Sequence, residues 1–157
     1  MHDYIFQIAT EPISEDAKVE PICYEDYETV FADYIGEALG EAARLKAITD
    51  LAKSFSPLFD LEDDVLIVKD PDAFILENIM LIKHRASILS IDRKNLFGIL
   101  DSISKSIEKT HKQIDSRFFI NEWNGWAGTA FDLIEFIRFC CKKGTKLYVG
   151  SVVEFHY

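Results

Sequence analysis

The chain has 157 residues, 48% of them hydrophobic and 28% charged, with a formal net charge of −10. That length suffices for one domain burying roughly 70% of the surface its unfolded form exposes, so no metal or disulfide staple is required and the composition excludes the disordered class. The negative balance opposes long-range attraction to nucleic acid and to anionic membrane.

From the N-terminus, "DYIFQIATEPI" alternates, with Tyr4, Phe6 and Ile8 on one face and Asp3 and Gln7 on the other, which predicts a half-buried strand stopping near Pro12. The acidic stretch Ile13 to Cys23, framed by Pro12 and Pro21, reads as a surface loop. In "YEDYETVFADYIGEAL", Tyr27, Val30, Phe31, Tyr34, Ile35 and Ala38 recur at three and four, the period of an amphipathic helix whose other side carries Glu25, Asp26, Asp33 and Glu37. Gly36 and Gly40 loosen or break it before a second helix, Glu41 to Phe55, with Leu45, Ile48, Leu51 and Ala52 as its stripe and Pro57 as its stop.

"VLIVK" at 65–69 predicts a short interior strand. "DPDAFILENIMLIKHRASIL" opens a long apolar helix with Asp70 at the N-cap and Pro71 at the first helical position, where its missing N–H removes nothing the helix uses. "DRKNLFGILDSISKSIEKTHKQI" predicts another amphipathic helix, capped by Asp92, with Leu96, Phe97, Leu100, Ile103, Ile107 and Ile114 on one side. "RFFIN" reads as a strand, "NEWNGWAG" as a turn, and "TAFDLIEFIRF" as a helix whose Thr129 and Asp132 stand at capping-box spacing. Large rings are unusual in a turn, which leaves two readings of Trp123 and Trp126: a ring folded over the end of the sheet, or an exposed aromatic anchor of the interface type. "TKLYVGSVVEFHY" closes the chain as a long strand bent at Gly150, with Leu147, Val149, Val153, Phe155 and Tyr157 sharing one face. The fold class is therefore α+β: one domain, 1–157, with a small mixed or mainly antiparallel sheet of about four strands and helices packed on one face.

The charge is unevenly placed. Residues 1–64 hold sixteen Asp/Glu against four Lys/Arg, and residues 65–157 hold eleven against thirteen. On a helix, Asp33 and Glu37 would stand roughly 5–6 Å apart at Cβ, a repeated small repulsion that either serves solubility or meets arginines and lysines as a mimic of the phosphate backbone.

Recognisable reactive constellations are absent from the sequence. His2, His84, His111 and His156 show no ligand spacing, and neither a nucleophile elbow nor a phosphate loop occurs, so no cofactor and no metal are expected. Glu122, beside Trp123, is the one acid to inspect for general-acid work, which requires a desolvated carboxyl. Cys23, Cys140 and Cys141 are odd in number, and a buried structural thiol is expected rather than a redox switch. The chain opens Met-His-Asp-Tyr without a basic and then apolar leader, and no run approaches 18 apolar residues, so a cytoplasmic protein outside the membrane is expected.

The opening "YIFQIATEPISED" and the closing "LYVGSVVEFHY", with the helix-rich middle, resemble small acidic proteins of unknown function from bacterial genomes and mobile elements. The resemblance covers the two ends only, carries no site residue, and implies a bacterial accessory role. The reading is a non-enzymatic acidic domain that binds a protein with a basic surface and does not bind nucleic acid directly. Its sharper form is an inhibitor or immunity factor acting on a basic, nucleic-acid-handling target. Contacts are expected at Glu25, Asp26, Asp33 and Glu37, and secondarily at Trp123 and Trp126. The alternative is a small-molecule-binding protein or an enzyme without a recognised motif, signalled by an apolar cleft at Glu122, His84 or His111. Oligomeric state stays open.

Overall fold

In the computed structural model, which describes residues 2–21, 24, 32–89, 115–123 and 126–156, the two ends of the chain form the centre of one sheet. Strand β1 (His2–Ala9) pairs antiparallel with β7 (Lys146–His156) and parallel with β5 (Arg117–Ile120). Both central strands are buried on their two faces, which is why their apolar content exceeds what one covered face would need. Beyond β5 lies β6 (Ala127–Gly128), and beyond β7 lies the hairpin of β4 (Val65–Val68) and β3 (Phe59–Glu62). β2 (Tyr34–Ala38) also pairs with β7, along the half of that strand that β4 leaves open. The described residues thus give a seven-stranded, mostly antiparallel sheet rather than one of about four strands.

The added strands are β2, β3 and β6. Periodicity favoured a helix through Tyr34–Ala38, but β7 is eleven residues long and β4 pairs only with Lys146–Tyr148, so the rest of that edge offers a ladder that β2 fills. The Asp33 N–H donates to the His156 carbonyl at 2.7 Å and the Leu39 N–H to the Val152 carbonyl at 2.8 Å, which fixes the segment as extended chain. β3 hid within a charged stretch, and Asp63, at φ 54°, turns it into β4.

Helices α1 (Glu41–Ser54), α2 (Pro71–Leu89) and α3 (Ala130–Cys140) bury residues against the same sheet face, as expected. There Phe6, Ile8, Leu66, Val68, Phe118, Ile120 and Leu147 meet Ile48 and Leu51 of α1, Phe74 of α2 and Leu133, Phe136 and Ile137 of α3. Phe6 and Phe118 stack at 5.8 Å, and Phe55 sets its edge to Phe118 at 6.1 Å. Each such fully buried side chain stabilises the fold by about 1.5–3 kcal/mol relative to exposure. Asp70 accepts from the Ala73 N–H at 2.9 Å, and Asp132 accepts from the Thr129 N–H and hydroxyl at 2.6 and 2.8 Å, so both predicted helix starts stand. The amphipathic helix expected from Asp92 lies outside the described residues.

The opposite face carries a smaller cluster of Ile5, Tyr24, Ala32, Ile35, Ala127, Val153 and Phe155, with Val19 and Phe119 against it. Among the described residues its cover includes the chain that follows β1, with a 3-10 turn at Glu15–Ala17 and Val19 against the cluster. β7 does not keep Leu147, Val149, Val153 and Phe155 on one face, because two steps along β1 (Phe6 to Ile8) match three along β7 (Val152 to Val149). That one-residue bulge sends Leu147 and Val149 to the helices and Val153 and Phe155 to the second face.

Candidate docking surface

Of the four buried polar residues among the described ones, three, Gln7, Arg44 and Ser151, meet at this bulge. On the edge between β4 and β2, the carbonyls of Val149 and Gly150 have no strand opposite, and the Arg44 guanidinium donates to both, the Gly150 bond being 2.8 Å. The same guanidinium holds Asp64 at 2.8 Å and Glu41 at 3.2 Å. On the second face, Gln7 Oε1 accepts from Val19 N–H (3.0 Å) and Ser151 N–H (3.2 Å), and its Nε2 donates to the Ala17 carbonyl (2.9 Å) and Asn121 Oδ1 (3.2 Å). Residue 150 must be glycine here, since a Cβ would lie 2.4 Å from Gln7 Oε1. The bulge thus fastens the acidic loop to the sheet. Neither Gln7 nor Arg44 stood out in the sequence: the α1 stripe predicts Leu45 inside, yet Leu45 is exposed and its neighbour Arg44 is buried.

What the anchored segment presents is negative charge. Residues 11–37 contain nine Asp/Glu and a single Lys/Arg, Lys18, which pairs with Glu15 at 2.7 Å. Glu11, Asp16, Glu20, Asp33 and Glu37 are exposed, and none has an ion-pair partner among the described residues. Acids from 41 to 64 behave differently. Glu41 and Asp64 meet Arg44, Asp50 meets Lys53 at 3.7 Å, Asp60 meets Lys69 at 3.0 Å, and Glu62 meets Lys146 at 3.4 Å; only Asp63 stands apart. Among the described residues the acidity of the first half therefore resolves into a compensated part, residues 41–64, and an uncompensated part in the segment between β1 and α1.

Asp33 and Glu37 are not stacked on a helix. Asp33 lies in the bend before the first residue of β2, and Glu37 is the fourth of its five residues, where the ladder with β7 shifts register, so the two are strung along an edge. The repulsion that helical spacing implied is correspondingly relieved. Glu25 and Asp26 lie outside the described residues.

Both tryptophans are about half exposed, Trp123 at 42% and Trp126 at 48%. Trp123 sets its edge 5.9 Å from the Phe136 ring of α3, so it covers the helix with one side and leaves the other in solvent. Phe131 and Phe139 of α3 and Leu76, Ile79, Met80 and Ile82 of α2 are exposed as well. A groove of about 530 Å³ runs along α2 between Ala73, Leu76, Glu77, Met80, Leu81 and His84. Glu122 is exposed, and its Oε1 accepts from the N–H (2.8 Å) and hydroxyl (2.9 Å) of Thr10, so it clamps the end of β1 rather than sitting desolvated among apolar walls. Cys140 is exposed, against expectation; Cys141 is half-buried, and burial, with Cys140 and Glu122 nearby, pushes its thiol up to about 11, which keeps it protonated and unreactive at neutral pH. A further cavity of about 240 Å³, lined by Glu15, Lys18, Glu41, Arg44 and Asp64 among others, lies beside the bulge.

Among the described residues no group of three His, Cys, Asp or Glu is placed to hold a metal ion, and no helix is long and apolar enough to cross a membrane. No protein family, curated protein or solved structure matches the chain.

Proposed function

We propose that this is a non-enzymatic binding domain that docks a protein with a basic surface through its uncompensated acidic segment, as an inhibitor or immunity factor acting on a basic, nucleic-acid-handling target. The observation that carries the reading is the division of the carboxylates among the described residues: those of residues 41–64 are mostly matched by lysine and arginine, while Glu11, Asp16, Glu20, Asp33 and Glu37 have no ion-pair partner. Solvated charge steers a basic partner and fixes its orientation more than it adds raw affinity. Asp33 and Glu37 are the primary contacts, with the exposed sides of Trp123 and Trp126 as secondary, aromatic ones. Competition against a labelled DNA duplex for a protamine-type, arginine-rich polypeptide tests this. The domain should release the duplex, and the double variant Asp33→Lys/Glu37→Lys should do so about tenfold less well, with a weaker salt dependence. Equal competition by the two proteins would refute the contact assignment.

The cavity beside Arg44 favours a second reading, a small polar ligand held by Lys18, Glu15 and the outer oxygens of Glu41 and Asp64. Equilibrium dialysis against amino acids and polyamines, with Lys18→Ala as the control, decides it.

A further inference from the structure

We infer that the basic partner docks as an added β-strand on the outer edge of β2, an extended segment with arginine or lysine side chains at both ends. The inference rests on the acidic-docking reading and names its mode. Among the described residues the sheet has three outer edges. β6 is two residues long, too short a template for a strand. β3 is blunted by paired charges, Asp60 with Lys69 and Glu62 with Lys146, a usual defence against strand addition. β2 is longer and carries no paired charges: it has five residues with a register shift between Ile35 and Ala38, it pairs only with β7 among the described residues, and Tyr34, Glu37 and Ala38 are exposed.

Since the Asp33 N–H points into β7, alternation turns the backbone groups of Tyr34, which precedes the register shift, outward. A guest strand would meet those groups with its own amides, the mode in which main-chain bonds supply affinity and side chains supply selection. Charge selects the guest here. Asp33 and Glu37 flank this edge without ion-pair partners among the described residues, one at the entry to β2 and one near its end, so a guest with basic residues at both ends of its extended stretch meets both. Tyr34, edge-on to His156 at 5.8 Å, adds an exposed ring at this edge for an aliphatic or guanidinium stem.

The test uses the full chain and a fluorescent acetyl-Arg-Val-Thr-Val-Arg amide, alone and with its central amides N-methylated, measured by anisotropy at low and physiological salt. Loss of main-chain donors should weaken binding about tenfold, and Asp33→Lys/Glu37→Lys should weaken it at least as much. Equal binding of both peptides, with the charge variant still weaker, would overturn strand addition and leave acidic docking intact. No binding of the unmethylated peptide at millimolar concentration would also overturn it. Binding that the charge variant leaves unchanged would overturn both readings. Gln in place of Lys at the two positions, with an unchanged circular dichroism spectrum, guards against misfolding as the cause.

Discussion

The two faces of the sheet are built from different chemistry. The helical face is a continuous apolar core in which phenylalanine rings from β1, β5, α2, α3 and the C-terminal cap of α1 interlock. The other has a thinner apolar cluster and is held down by a polar knot in which Gln7 and Arg44 occupy opposite sides of one bulge. The contrast separates two jobs. One face stabilises the molecule; the other holds a segment rich in exposed carboxylates.

Substitutions on each face should separate these jobs, the largest effect first. Phe118→Ala on the helical face should cost about 4 kcal/mol in urea unfolding, since the stacked contacts to Phe6 and Phe55 leave a cavity the helices cannot close. Arg44→Ala should cost about 3 kcal/mol: Glu41 and Asp64 regain water, but the Val149 and Gly150 carbonyls lose their donor. A cost below about 1 kcal/mol would mean that the bulge needs no such brace. Gly150→Ala should cost about 2 kcal/mol through the clash with Gln7, which is buried and cannot leave without breaking its bonds to Ala17, Val19 and Ser151.

The smallest effect concerns Asp3, at the rim of both faces. Burial raises its carboxyl above the ordinary 3.8, only partly offset by the hydrogen bonds from Ser116 and the Tyr4 N–H. A raised folded-state value favours the protonated acid in the native state, so its contribution is fully present below the unfolded value and is lost as pH rises through the folded one. Asp3→Asn keeps the acceptor and removes that loss. Stability at pH 7 should rise by about 0.5 kcal/mol, with a flatter slope above pH 4; a fall would show that the charge is needed.

Local rules made part of this legible. β1, β4, β5 and β7 follow from alternation or β-branched runs, and α2 and α3 begin where Asp70, Pro71, Thr129 and Asp132 mark them. What resisted reading depends on partners distant in sequence. Tyr34–Ala38 carries a helical period, yet β7, more than a hundred residues later, draws it into the sheet. Arg44 looks like one more charge on an exposed helix until the orphaned carbonyls of Val149 and Gly150 come to lie beside it. The net charge of the first half was visible at once; its division into matched and unmatched carboxylates was not, because Lys69 and Lys146 reach Asp60 and Glu62 only through the β3–β4–β7 ladder.

The most direct measurement compares two charge reversals of equal net charge, Asp33→Lys/Glu37→Lys and Asp60→Lys/Glu62→Lys, in salt-dependent competition for the arginine-rich polypeptide, with folding checked by circular dichroism. Loss of competition confined to the first pair is the predicted result. Equal loss in both would reduce the effect to overall charge and contradict a docking surface in the segment between β1 and α1.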